Sequence, residues 1–321
     1  MNPPADSTRK TRIVVCGQNW LAQQSLEFLL KRPDTELCAV ATTPKSWQAD
    51  LVAWATQRGL KVFTGNINDH VDEIAALAPD LLISIQYHWL LRPKILSVPR
   101  LGCINLHLGL LPRYAGCSPI AWAILNGETE AGATLHFMTE RFDDGDVIAQ
   151  AKVPVTTETT ARELFDAVCQ AGAKLFAATY PSLRKGTIHA VPQDLSKQLY
   201  YRADSINFKR DSVIDWEKPG REVQRRICAF TFEPFQLPRT TLVLSNGQHL
   251  PVTVSATRLS TTNSDGAHPP GQIMAVTASG AIVVATGSDD SVEVGGLNKQ
   301  PAREFIQSLG VLPSELRLQA S

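Results

Sequence analysis

Between Ile104 and Gly116 the chain reads Ile-Asn-Leu-His-Leu-Gly-Leu-Leu-Pro-Arg-Tyr-Ala-Gly, and the stretch closes with Phe142-Asp143-Asp144-Gly145-Asp146. Asn105 and His107 stand two apart in a strand-like run, so their side chains point to one side of a sheet. An amide and an imidazole on one face, with a carboxylate returning later, suit acyl transfer. The amide stabilises a developing oxyanion, the imidazole moves protons, and the carboxylate orients and tunes the imidazole. Blander readings compete. A lone strand histidine is most often a half-buried packing residue, and Asp-Asp-Gly is good turn chemistry by itself. Three aspartates could also take a hard cation. The calcium-loop pattern lacks its closing glutamate, however, and no metal is expected.

The elements that must hold these residues follow from periodicity. Arg12–Gly17, Leu37–Thr42, Lys61–Thr64 and Leu81–Ile85 are short apolar runs, and Leu21–Leu30, Ala53–Gly59 and Val71–Leu77 carry helical spacing between them. This βαβα order predicts an α/β fold with a doubly wound, mostly parallel sheet. Strands at Cys103–Leu108, Ala133–Met138 and Val147–Val155 follow, then a long helix over Ala161–Tyr180 stopped by Pro181. Ser118 can cap a short helix with Pro119 in its first turn and Asn126-Gly127 at its exit. Ligands of such sheets gather outside the carboxyl ends of the strands. Asn105 and His107 lie near such an end, because Pro112 and Gly116 mark the following loop.

After a connector of mixed polarity the chain changes character. Leu237–Leu244, Leu250–Leu259, Gly271–Val276, Ala281–Thr286 and Val292–Gly296 read as strands separated by turn-rich segments, one of them a Thr/Ser/Asn/Asp-rich loop at 260–270. They predict a small, open β-barrel after a helix near Glu222–Ala229, with Ala302–Leu309 as a terminal helix. The expected division is a flexible N-terminus at 1–11, a catalytic domain at 12–183, a linker at 184–207 and a C-terminal domain at 208–321.

Bulk properties exclude several classes. The 321 residues are 44% hydrophobic, enough for a sizeable core, and 31 basic residues balance 31 acidic ones. A net charge of zero offers no global attraction to nucleic acid or to an anionic membrane. Residues 1–11 are polar, so no signal peptide is expected, and no run of eighteen apolar residues predicts a span. The six cysteines form no Cys-x-x-Cys pair and read as reduced core residues of a cytoplasmic protein. Val15-Cys16-Gly17-Gln18-Asn19-Trp20 sits where a dinucleotide fingerprint would, but holds one glycine. No Walker or Gly-x-Ser-x-Gly sequence occurs, and His70, His136, His189, His249 and His268 are scattered without zinc spacing.

The array Asn-x-His-x-x-Leu-Leu-Pro-x-Tyr-x-Gly, followed by Asn126-Gly127-Glu128 and Asp-x-Gly-Asp, resembles the folate-dependent formyltransferase family. That family includes methionyl-tRNA, glycinamide ribonucleotide and amino-sugar formyltransferases. The resemblance is dense between Asp80 and Gln150, and the 36 residues separating His107 from Asp143 fit the family's interval. It implies catalytic roles for Asn105, His107 and Asp143, and a formyl donor, 10-formyltetrahydrofolate, with no metal. It places the pterin near Gln86, Tyr87, His88, Trp89, Leu90 and Leu91 and near Thr139, Glu140, Arg141 and Phe142, although packing explains Tyr87-His88-Trp89 equally well. It places the acceptor near Gly109, Leu110, Pro112 and Tyr114, and a cis peptide at Leu111-Pro112. Ile214-Asp215-Trp216 and Ile227-Cys228-Ala229-Phe230 resemble the start of the family's OB-like C-terminal domain.

Two departures bear on the acceptor. Relatives often carry Ser two residues after the catalytic His and Arg before the turn glycine; here these are Gly109 and Ala115. The lost side chains suggest a different, bulkier acceptor, with neutral variation as the alternative reading. Methionyl-tRNA formyltransferases also carry a long basic insertion after the second strand, whereas Ala41-Thr42-Thr43-Pro44-Lys45-Ser46-Trp47 leads straight into a helix. From Phe208 onward eleven basic residues balance eleven acidic ones. The expected acceptor is a small-molecule primary amine: a nucleotide-linked amino sugar first, then an amino acid, hydroxylamine or peptide-precursor amine. Transfer RNA is less favoured, because phosphate-driven binding loses its source. Arg221, Arg225 and Arg226 could meet a phosphate or one RNA strand, but read by default as a solvated helix face. The rival functions are methionyl-tRNA formyltransferase, 10-formyltetrahydrofolate hydrolase and a non-catalytic folate- or metabolite-binding module.

Overall fold

The computed structural model describes residues 9–44, 48–262 and 268–320. The expectations placed on residues 1–8, 45–47 and 263–267 of the 260–270 loop therefore fall outside the described residues. The chain forms two compact units. The first comprises residues up to Pro119, Ala131–Val153 and Asp166–Tyr201, and the second holds Ile120–Glu130, Pro154–Phe165 and the chain from Arg202.

The alternation expected of the first half is present: β1 (Thr11–Gly17), α1 (Asn19–Leu30), β2 (Thr35–Thr42), α2 (Leu51–Thr56), β3 (Lys61–Thr64), α3 (Val71–Ala76), β4 (Leu81–Ile85), α4 (Pro93–Leu96) and β5 (Cys103–His107). Then come β6 (Ala115–Gly116), α5 (Pro119–Leu125), β7 (Glu130–Phe137), β8 (Val147–Pro154), α6 (Ala161–Lys185) and β9 (Tyr200–Tyr201). The main sheet runs β3-β2-β1-β4-β5-β7-β8. β1 to β5 pair in parallel and β7 joins β5 antiparallel. Ile13, Val14, Val15, Leu82, Ile83, Ile85 and Ile104 are wholly inaccessible. Such uninterrupted apolar strands suit a sheet covered on both faces. Strand order reverses between β1 and β4, the switch point at which sheets of this type open a crevice.

Two local expectations need correction. Pro181 does not stop α6, which runs to Lys185. Proline there removes one helical hydrogen bond, in the last turns, while Tyr180 and Leu183 are buried and Arg184 reaches Asp34 at 3.2 Å. Ser118 is not the extended residue of an ordinary N-cap but left-handed, with φ +57°. It turns the chain sharply out of the loop after β5.

The second unit contains α7 (Phe208–Asp211), α8 (Gly220–Phe230), β10 (Arg239–Val243), β11 (His249–Leu259), β12 (Ile273–Val276), β13 (Ile282–Ala285), β14 (Ser291–Leu297), β15 (Gln300–Pro301), α9 (Ala302–Ser308) and β16 (Arg317–Gln319). Its antiparallel sheet, in the order β12-β13-β14-β11-β10-β16, curls into the half-barrel of an OB-like domain. Trp216, Val223, Ile227, Val254, Val284, Val292 and Leu318 fill it, and Trp216 Nε1 donates to Thr240 Oγ1 at 2.9 Å. Helix α9 is not terminal. β16 follows and pairs with β10, a three-residue strand too short for a periodic signal.

Candidate active site

β5 ends in Asn105-Leu106-His107, and its alternation turns both polar side chains to one face. β7 lies antiparallel beside it, with His136 directly opposite Asn105 and Thr134 opposite His107. Opposed residues share a face, so Asn105, His107 and His136 stand together. Six residues beyond β7 the chain turns through Asp143, a left-handed residue with φ +53°, whose carboxylate docks against this group. Aspartate tolerates that conformation better than most residues.

The polar atoms around Asp143 determine one another's roles. Asp143 Oδ2 accepts from Gly116 N–H at 2.8 Å and faces His107 Nδ1 at 3.7 Å. Asp143 Oδ1 lies 3.4 Å from both Asn105 Nδ2 and His136 Nε2. His107 Nε2 meets the Tyr114 carbonyl at 2.6 Å. A carbonyl only accepts, so Nε2 carries the hydrogen and Nδ1, beside Asp143, is the basic nitrogen of the neutral ring. His136 Nδ1 likewise donates to Phe137 O at 2.8 Å, which leaves Nε2 to accept from Asn105 Nδ2 at 3.2 Å. These neighbours call for a donor from Asn105, so its amide nitrogen rather than its oxygen points inward. Burial pushes the Asp143 carboxyl up, but the charge of the His107 ring once it is protonated, the hydrogen bond and charge of the His136 ring in its protonated form, and the Gly116 N–H together outweigh burial and hold it well below the usual carboxylate range.

The loop between β5 and α5 is held just as closely. Thr134 Oγ1 donates to Gly109 O at 2.6 Å and accepts from Leu111 N and Gln150 Nε2 at 3.1 and 2.9 Å. Leu111-Pro112 is cis. Leu110 lies against Gly132, and Tyr114 is buried and stacked on Tyr201. Gly109 overturns the expectation of a roomier acceptor side. A Cβ there would stand 2.6 Å from Tyr114 O and 2.7 Å from His107 Nε2. The space of the missing side chain is already filled by the His107–Tyr114 contact, and Ala115 is buried too.

The residues expected around the pterin are divided. Gln86 follows β4 in a left-handed conformation (φ +53°), and its Oε1 is buried without a partner among the described residues. His88 reaches Gln18, and Trp89 is 42% exposed. Tyr87 instead anchors the core: its hydroxyl accepts from Ile67 N and donates to Gly65 O. Leu91 is wholly buried, and Leu90 lends its carbonyl to Asn68. On the second loop Thr139 and Arg141 tie Asp144, Glu140 is exposed, and Phe142 stands 48% exposed beside Tyr200. In the second unit, Arg221 is exposed as expected, but Arg225 and Arg226 are not part of a fully solvated face. Arg225 and Arg226 are half-buried in a cleft of about 610 Å³ with Trp122 and Phe230, and Arg226 donates to Asp211 O at 2.7 Å.

His136 is the residue that the sequence reading passed over as one of several scattered histidines. Its alternation with Thr134 was visible, but the register that sets it opposite Asn105 was not.

A buried, ionised carboxylate flanked by a basic imidazole nitrogen and an inward amide N–H is the equipment of an acyl-group transferase. Comparison with known proteins narrows this class. The Formyl transferase family matches residues 14–179, and the family described as Formyl transferase, C-terminal domain, matches residues 208–310. A methionyl-tRNA formyltransferase of Listeria monocytogenes serotype 4b (strain CLIP80459) is 33% identical over 250 residues, 76% of this chain and 75% of its own. That of Synechococcus sp. (strain JA-3-3Ab) is 41% identical over 162 residues, about half of each chain. Among solved structures, the sugar 3N-formyl transferase WlaRD superposes with a TM-score of 0.68 at 22% identity, over 89% of this chain and 97% of its own. An N-formyltransferase from Helicobacter canadensis does so with a TM-score of 0.67 at 23% identity, over 88% and 98%. The chain belongs to the folate-dependent formyltransferase family. It is a formyl-transfer enzyme whose donor is 10-formyltetrahydrofolate.

Proposed function

We propose that the enzyme formylates the primary amine of a small-molecule acceptor, with Asn105, His107 and Asp143 as its catalytic residues. The donor supplies an activated formyl carbon. Gln86, with a buried acceptor oxygen, and the exposed Trp89 suit a flat ring that carries N–H donors. Asn105 Nδ2 is held only by contacts of 3.2 and 3.4 Å, which a developing oxyanion can displace. His107 Nδ1 takes the proton lost by the amine, directly or through water, and Asp143 steadies the resulting cation from 3.7 Å; the tetrahedral adduct then collapses by breaking the bond between the formyl carbon and N10 of the donor, and the departing nitrogen takes the proton back, releasing tetrahydrofolate. The convergence of these three side chains on the face of β5 carries the reading.

The choice of acceptor rests on charge. The connection between β2 and α2 spans residues 43–50 and contains one lysine and one aspartate, so no basic insertion stands there. The eleven-to-eleven balance from Phe208 onward adds no field for RNA. The Helicobacter canadensis structure holds folinic acid and dTDP-3-aminofucose, which supports a nucleotide-linked amino sugar as the first candidate. Methionyl-tRNA is the second reading, favoured by relatives of that name across three quarters of the chain.

The test is formyl transfer from 10-formyltetrahydrofolate to nucleotide-linked amino sugars, amino acids, hydroxylamines and initiator methionyl-tRNA, with a no-acceptor control. The expected result is transfer to one small amine, abolished in His107→Ala. Transfer to tRNA alone would replace this reading with the second one. Formate release without any acceptor would identify a hydrolase, and folate binding without turnover a binding module.

A further inference from the structure

The segment after α6, expected to be a linker, is built into the catalytic centre. Val191 exchanges two backbone hydrogen bonds with Val147, each 2.8 Å long. Further along, Leu199 O accepts from Ala115 N at 3.1 Å and Tyr201 O accepts from Cys117 N at 2.7 Å, which flank the Gly116 N–H that serves Asp143. Between these anchors stands Gln193, half-buried where Pro192 and Asp194 are exposed. Its Nε2 donates to Asp143 O at 2.9 Å and to Gly145 O at 2.7 Å. Both amide hydrogens are thus spent on the turn that presents the carboxylate.

The other half of the same amide is unsatisfied. Gln193 Oε1 is buried and has no partner among the described residues. Flipping the amide would set an oxygen against two carbonyls, so the orientation is dictated by the turn. A buried polar atom left orphaned in a native fold calls for an explanation. A left-handed aspartate turn is fixed when its backbone carbonyls are held, and the glutamine supplies donors to those of Asp143 and Gly145.

We propose that Gln193 is a positioning residue for formyl transfer, fixing the Asp143 turn so that its carboxylate meets His107, Asn105 and Gly116 N–H together. This rests on the reading of Asp143 as a catalytic group. Removing the two donors frees the turn, lengthens the carboxylate's contacts and lets its protonation midpoint rise toward an ordinary value.

The experiment compares the 321-residue enzyme with Gln193→Leu, an apolar side chain one atom shorter that lacks the donors, and Gln193→Asn, which keeps the amide one methylene short. Four quantities are read: turnover, KM for 10-formyltetrahydrofolate, the melting temperature, and the Asp143 carboxyl midpoint by carbon-13 NMR of aspartate-labelled protein. The expected result is a tenfold or greater loss of kcat with KM changed by less than threefold, and an Asp143 midpoint displaced upward in both variants. If Gln193→Leu does not fold, Gln193→Asn carries the same expectations. A lowered melting temperature with kcat and the midpoint unchanged would show a merely structural residue and overturn the proposal. A displaced midpoint in an enzyme that formylates none of the amines tested would support the positioning role while removing the acceptor reading.

Discussion

Replacing Asp143 by Asn removes one charge and little volume, and the structure gives the size of the effect. With both side chains about 90% buried, the His107–Asp143 separation of 3.7 Å corresponds to about 4.5 kcal/mol of attraction for a protonated ring, at an effective dielectric constant of about 20. At about 1.4 kcal/mol per decade that is roughly three powers of ten in rate, if all of it is felt when the ring takes the proton. The asparagine keeps a dipole in place of the charge, so the expected loss in kcat is about 10²- to 10³-fold. The KM for 10-formyltetrahydrofolate should stay within about threefold. Steady-state release of tetrahydrofolate with the acceptor found in the panel measures both. The pH dependence gives an independent check. Because the folded carboxyl is held below its ordinary range, the wild-type enzyme should not lose activity through this group between about pH 5 and 8. The same depression stabilises the fold above the unfolded value near pH 4, and that contribution disappears as pH falls through the folded value. The stability gap between wild type and Asp143→Asn should therefore be widest at neutral pH and close on acidification. A folded Asp143→Asn protein within fivefold of wild-type kcat would refute the electrostatic role.

Three further outcomes follow from the same geometry. Asn105→Ala should lower kcat by on the order of a hundredfold while the chain remains folded, as loss of one oxyanion donor does; circular dichroism beside the rate assay checks it. Gly116→Ala should lose about 1–3 kcal/mol of stability and much of its turnover, because φ is +86° and a Cβ would be driven into the Tyr201 carbonyl; scanning calorimetry and kcat measure the two effects. Iodoacetamide at pH 8 should label Cys117 first and slow formyl transfer. Cys117 is the exposed thiol, raised by burial and by Asp143, whereas the buried thiols of Cys103 and Cys228 are pushed up to about 12. Peptide mass mapping against residual activity decides this.

The parts of this enzyme legible in its sequence are those set by local spacing. Two residues apart on a strand means one face, and that alone places Asn105 and His107 together. Alternating apolar runs and helical periods likewise announced the parallel sheet and the later half-barrel. What escaped depends on registers and returns that spacing does not encode. His136 joins the group only because β7 is antiparallel to β5 in one particular register. Gln193 reaches the Asp143 turn from fifty positions away, in a segment whose composition signals nothing but a connector. Gly109 was legible as a departure but misread as lost bulk, because its tight neighbours, Tyr114 O and His107, are apparent only once the loop has closed.

The antiparallel strand also explains how an ionised carboxylate can be buried here at all. β7 is reached only through residues 108–129, which include α5, but its register sets His136 against Asn105, and the chain needs only six more residues to fold Asp143 back over the same face. An isolated buried charge would be prohibitively unfavourable and would simply take up a proton. Asp143 avoids that because the strand pair supplies the Asn105 N–H and the loop after β5 supplies the Gly116 N–H, and because either ring faces it with an N–H once it is protonated. Each of those partners is itself locked by a backbone carbonyl or a neighbouring lone pair: His107 by Tyr114 O, His136 by Phe137 O, Asn105 by His136. The lock on His107 is also what leaves Nδ1, the nitrogen beside Asp143, as the one free to take a proton. The hydrogen bonds that keep the carboxylate ionised and those that choose the basic nitrogen of His107 are therefore parts of one network. A substitution anywhere in it should change the chemistry before it changes the fold.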